Sequence, residues 1–287
     1  MIWVETILNG VFLGALYGIL GLGLALVFGV MRVINVAHGD FIVLSAFLGV
    51  FTAATVPGIP PLLIIVPVVV VSALIGWLFQ TVLMNRVIET QDMLVPMLLT
   101  FGFSFVMRNI LLETVGANPV TLDAGALSRA SISLGELNVG VLPVLTLAVS
   151  VVLFGSLHWV IGHTEFGRVV RATSDNPQIA RIMGVRPKRI YALVMALALA
   201  LAAIAGMFLA MRTSFTPNSG IDRILIAFEV VVLGGLGSFW GALLAGIALG
   251  VTQLIGFRFD ANSGLLYAHL LFLFFLIVRP NGIFGSK

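Results

Sequence analysis

Residues 6–31 read TILNGVFLGALYGILGLGLALVFGVM, and no charged side chain appears until Arg32. About 20 consecutive apolar residues, each rising roughly 1.5 Å, cross the hydrocarbon core of a bilayer. This run is long enough to do so. Its Gly10, Gly14 and Gly18 recur every four residues and so share one face. A face of small residues lets helix backbones approach closely, the usual means of joining helices in lipid. The same spacing returns in Gly237-Gly241 and Gly246-Gly250.

The rest of the chain agrees on the solvent. Of 287 residues, 60% are hydrophobic and 9% charged, and mean hydropathy is +1.16. Soluble domains are roughly 45–50% apolar and about 25% charged. No long polar segment remains for an appended soluble or catalytic domain. A net charge of +3 does not point to nucleic acid here, because Lys and Arg in membrane chains mark cytoplasmic loops. Cysteine is absent, which excludes disulfides and thiolate metal sites. The start, Met1-Ile2-Trp3-Val4-Glu5, lacks the basic region and small-residue cleavage site of a removable signal peptide.

Further spans are predicted at about 40–56, 62–84, 93–112, 141–162 and 190–211, with Arg108 the one charge inside the fourth. Residues 113–140, with Asn118-Pro119, Asp123, Arg129 and Glu136, read as an exposed loop. Residues 163–190 hold Arg168, Arg171, Arg181, Arg186, Lys188 and Arg189 against Glu165 and Asp175. The positive-inside rule puts this loop in the cytoplasm. Counting back places 85–92 and 32–39 inside, and the N-terminus outside. Counting forward places 212–223 outside, yet the basic tail Arg279 to Lys287 belongs inside. A single span over 224–257 followed by one at 264–278 gives the wrong parity. Gly234-Gly235-Leu236-Gly237-Ser238 interrupts that run, so a bent or re-entrant element is predicted there. The expected fold is all-α, a polytopic helical bundle of about eight spans. It forms a single transmembrane domain over residues 1–287 in the cell (inner) membrane.

Within the loop 163–190, Asp175 or Asn176 can cap a helix, and Pro177 suits its first position. Gly184 can end it in a left-handed conformation. Ile179, Ile182 and Met183 then share one face. A helix of about two turns is not stable alone in water. It needs a partner surface, either its own membrane domain or a second protein.

Other polar residues carry two readings each. His38, beside Gly39 and Asp40, either lines an inner gate or contacts a partner, or is a hydrogen-bonded helix cap; Asn35 bridges backbone groups in both cases. Glu229 lies shortly before the glycine break and is the best candidate for lining a pathway. Arg108 is expected to pair with Glu229 or Glu113. Ionisable residues at membrane depth cost roughly 2.5–3.5 kcal/mol on insertion scales, so they face protein or water. His158, His163 and His269 read as interfacial or packed. No catalytic triad, paired carboxylates or metal-binding H-E-x-x-H is present, and no cofactor is implied.

Several segments resemble the permeases of branched-chain amino acid ABC transporters. Ile34-Asn35-Val36-Ala37-His38-Gly39 is similar to a signature that follows their first span. Arg171-Ala172, Asn176-Pro177, Ala180 and Gly184-Val185 resemble their ATPase-coupling helix. Gly234 to Ser238 with Gly241-Ala242 resembles a further glycine block, with Leu236 where Met is frequent. Arg279-Pro280-Asn281-Gly282-Ile283-Phe284-Gly285 resembles the C-terminal motif, with Ile283 where Leu is usual. Length and first-span pattern suit the shorter, LivH-type subunit. The resemblance implies a second permease subunit, two cytoplasmic ATP-binding subunits and an extracytoplasmic solute-binding protein, with import of leucine, isoleucine, valine or related amino acids. It makes Arg171, Asp175, Asn176, Pro177, Ile179, Arg181, Ile182, Met183 and Gly184 candidates for ATPase coupling. Asn35, His38, Glu229, Gly234, Gly235, Gly237 and Ser238 are the candidates for pathway or gate.

The chain has no G-x-x-x-x-G-K-[ST] loop, so ATP binding of the P-loop kind must come from partners. The alternatives are a secondary active carrier, a passive channel, a membrane enzyme, and a related permease for urea or short amides.

Overall fold

The computed structural model describes residues 2–90, 92, 94–134 and 137–284. Met1, Glu136 of the exposed loop, and Gly285 and Lys287 of the tail lie outside the described residues. In chain order the elements are α1 (Ile2–Met31), α2 (His38–Thr55), α3 (Pro61–Val82), α4 (Leu94–Val115), α5 (Ala126–Arg129), β1 (Ser131–Leu134) and β2 (Leu137–Gly140). They continue with α6 (Val141–His163), α7 (Glu165–Asp175), α8 (Pro177–Ile182), α9 (Pro187–Arg212), α10 (Gly220–Gly234), α11 (Phe239–Phe259) and α12 (Gly264–Val278). Among the described residues, seven helices are long and apolar enough to cross a membrane, and α12 is a shorter apolar helix. The chain is a multi-pass membrane protein.

α1 lies at the centre because its small residues admit neighbours on several sides. Its glycine face meets α11 backbone to backbone: a Cβ on Gly10 would stand 2.6 Å from the Cα of Val251. Gly14 packs on Gly246 and Ile247, and Gly250 returns against Gly10 and Gly14. The alanine-rich α9 packs on α1, α2 and α3. The outward faces of α3, α4 and α6 carry large apolar side chains such as Leu74, Leu98 and Val152.

The apolar run does divide at the glycines. The division is a tight turn between α10 and α11, in which Gly235 and Gly237 take φ of 97° and 86°. Gly234 packs directly on Gly241 and Ala242, so the two helices run antiparallel from the turn. The tail closes over it: Ile283 and Phe284 donate backbone hydrogen bonds to the carbonyls of Leu233 and Gly234, at 2.9 and 3.3 Å. Gly29 near the end of α1 faces Gly237, and Ser174 of α7 donates to the Gly29 carbonyl at 2.8 Å. Helix ends, loop 163–190 and tail thus gather at one end of the bundle, as the parity argument requires.

Two further breaks were not read from hydropathy. Arg32 takes φ of 54°, a left-handed turn that sends Val33–Ala37 back into the bundle. Consequently α2 starts deep inside, and His38, its first residue, is buried rather than at the cytoplasmic surface where 32–39 is expected. Its Nε2 lies 3.1 Å from the carbonyl of Leu20, about three turns before α1 ends. The loop 113–140 also differs from expectation, since it holds α5 and an antiparallel hairpin pairing Ser131 with Gly140. Val120 in this loop exchanges two 2.9 Å backbone hydrogen bonds with Phe215. That bridge buries Phe215, Pro217 is buried two residues on, and α10 begins buried at Gly220.

Candidate functional site

Asn176 caps α8: its Oδ1 accepts from the backbone N–H groups of Gln178 and Ile179, both at 3.0 Å. Asp175 instead ends the preceding helix α7. Pro177 takes the first helical position, and Gly184 closes the turn with φ of 86°. Ala180 is the buried residue of α8, whereas Ile179, Ile182 and Met183 are 58%, 84% and 77% exposed. The sequence identified this short helix but not α7, which Thr164 caps by accepting from Gly167 N at 3.1 Å. The Thr-Glu pair at 164–165 was the available signal.

Polar anchors fix α8 in place. Glu89, after α3, receives Arg181 at 2.8 Å and Lys188 at 3.1 Å. Those two cations, Lys188 first, hold the Glu89 carboxyl below the usual carboxylate range. Arg171 of α7 donates to the carbonyl of Ile161 in α6. The result is a pair of helices, tied down by polar contacts, that presents an apolar knob among arginines.

The pathway candidates do not converge on one point. Gly234, Gly235, Gly237 and Ser238 form the α10–α11 turn, where Ser238 Oγ accepts from Gly241 N at 3.2 Å and caps α11. Glu229 pairs with His269 of α12 at 2.5 Å; His269 is therefore not isolated, and Glu229 is not the partner of Arg108. Asn35 organises the re-entrant segment, accepting from Ala37 N at 3.1 Å, while Val36 N donates to Thr100 Oγ1 at 3.1 Å. Those bonds satisfy non-helical backbone that lipid could not. His38 is fully buried and caps nothing; its Nδ1 finds no partner among the described residues. Arg108 joins neither Glu229 nor Glu113 but Asp40, at 3.3 Å. Among the described residues, no group of three or more His, Asp or Glu side chains could hold a metal ion.

A buried, glycine-packed bundle with broken helices and a short exposed helix at its basic end is the fold of a polytopic membrane protein. The chain belongs to the family of branched-chain amino acid transport system permease components, whose pattern it matches over residues 6–278. It is 25% identical over 295 residues to the high-affinity branched-chain amino acid transport system permease protein BraD of Pseudomonas aeruginosa, covering 99% of this chain and 96% of that one. It is 26% identical over 300 residues to LivH of Escherichia coli K12, with the same coverages. Among solved structures, PsaBC from Streptococcus pneumoniae in complex with Fab shares the fold, with TM-score 0.51, 14% identity, and coverage of 96% of this chain and 92% of that one.

Proposed function

We propose that this chain is the LivH-type permease subunit of an ATP-binding cassette importer for branched-chain or related amino acids, set in the cell (inner) membrane. A second permease subunit completes the pore. Two cytoplasmic ATP-binding subunits supply the work, and an extracytoplasmic binding protein delivers the solute. The relatives reported above favour amino acids over urea or short amides. The observation that carries the coupling is the exposed Ile179, Ile182 and Met183 on a capped, anchored helix. Fully burying such a side chain contributes about 1.5–3 kcal/mol, so the knob is a strong anchor for a groove on an ATP-binding subunit.

Replacing Ile182 with Glu should abolish co-purification of the ATP-binding subunits while the membrane domain keeps its unfolding temperature. Normal assembly and uptake in Ile182→Glu would remove the docking role. Leucine uptake by vesicles without ATP would instead favour a secondary carrier.

A further inference from the structure

The first turns of α2 and α10 meet inside the bundle: a Cβ on Gly39 would stand 2.6 Å from Ile224 N, and one on Gly220 3.0 Å from the Cα of Asp40. Asp40 lies at this junction and is 1% exposed. Arg108 of α4 reaches it with two prongs, Nε to Oδ1 and Nη2 to Oδ2, both at 3.3 Å. Nη2 also donates to Ser104 Oγ at 3.3 Å.

Charged residues within membrane segments are costly, and where they persist they mark solute routes. Three features suit this pair to such a role. The guanidinium fork matches the two oxygens of a carboxylate. Two helix N-termini open onto Asp40, and their positive ends support its carboxylate at this depth. Arg108 also stands at the rim of the bundle, with its side chain 13% exposed and its guanidinium carbon 5.4 Å from the Phe105 ring centre. Phe105 packs against Phe101 at 5.0 Å, and both rings are exposed on the open side of α4.

We infer that Asp40 and Arg108 form a zwitterion-reading site on the translocation route. Arg108 takes the α-carboxylate of a free amino acid, Asp40 takes its α-ammonium, and Phe101 and Phe105 receive the aliphatic side chain. This rests on the amino-acid reading proposed above. Parting the pair alone would strand two charges at low dielectric. A zwitterion carries one charge of each sign and pairs both again. A monocarboxylate or a primary amine pairs only one, and urea or a neutral amide pairs none. In the present conformation Asp40 occupies the fork, and the site is closed.

The test uses the whole transporter, with its partner subunits and binding protein, in proteoliposomes. The readout is leucine moved per ATP hydrolysed. The double variant Asp40→Asn with Arg108→Gln removes both charges and strands neither. It should assemble normally yet lower that ratio about 100-fold. A purely structural pair would change the amount of assembled complex and leave the ratio intact; a wild-type ratio therefore overturns the site. If the double variant fails to assemble, Arg108→Lys decides, since it keeps the charge and loses the fork. It should lower the ratio about tenfold, and an unchanged ratio overturns the site. A wild-type complex without ATP-driven leucine uptake would overturn the importer reading itself, a distinguishable result.

Discussion

In an 18-residue apolar stretch of α1, 83% of residues are buried, whereas α8 buries only Ala180 of its six. α1 is held by close backbone approach, with Gly10 and Gly14 set against Val251, Gly246 and Ile247. α8 is held by a cap, a left-handed glycine and one ion pair, Arg181 to Glu89, and its apolar side chains are left outside. The difference separates two kinds of anchorage. Dispersion between tightly fitted surfaces fixes the interior, because lipid offers no hydrophobic drive for helices to associate. Polar contacts fix the element whose apolar side chains stay exposed.

The contrast is most easily broken at Gly14. Gly14→Leu should cost more than about 3 kcal/mol and reduce the yield of folded protein, because backbone rather than a movable side chain stands in the way. Leu74→Ala, on the 62%-exposed outer face of α3, should change the unfolding temperature little, within about 0.5 kcal/mol. Equal tolerance at the two positions, measured by thermal unfolding in detergent, would undo the packing account. Asn176→Ala tests the polar anchorage at an intermediate scale. It removes both cap hydrogen bonds and should weaken α8 by about 1 kcal/mol, read as roughly fivefold weaker binding of the ATP-binding subunits. Unchanged affinity would show that the cap does not order the knob.

The smallest effect belongs to Glu89→Gln. Exposed ion pairs contribute less than about 1 kcal/mol after solvent screening, and salt should weaken them further. The sign with pH follows from the lowered carboxyl. The contribution is complete above the ordinary Glu value of about 4.3 and is lost as pH falls through the lower value in the folded protein. The protection factors of the α8 amides, which are exchange rates corrected for their intrinsic pH dependence, should therefore fall in acid in the wild type and stay flat in Glu89→Gln. Identical pH profiles would remove Glu89 from the anchorage.

Local signals carried much of the architecture. Asn176-Pro177 with Gly184, and the glycines at 234–237, act on their own few residues, so α8 and the α10–α11 turn were legible. Depth was not. The span Pro61–Arg86 is more apolar than α1, yet only 28% of its 18-residue apolar stretch is buried against 83% of that in α1. The Gly and Ala content of α1 and α9, rather than hydropathy, was the sign of an interior helix. The re-entrant Val33–Ala37 escaped because an apolar segment beside a helix end reads alike whether it turns outward or inward. Asp40 and Arg108 are 68 positions apart, and Glu229 and His269 are 40 apart. Neighbourhood along the chain therefore offered Glu113 to Arg108 and no partner to His269, although three-dimensional packing supplies one to each.

The pairing of α1 with α11 also dictates an order of events at the ribosome. The glycine face of the first helix emerges early, but the helix that covers it is finished only after Phe259 has been made. At roughly 5–20 residues per second, the nascent first segment waits some tens of seconds in the bilayer without its main neighbour. A chaperone or the insertion machinery can shield that bare strip meanwhile, and slowing translation late in the message would lengthen its exposure.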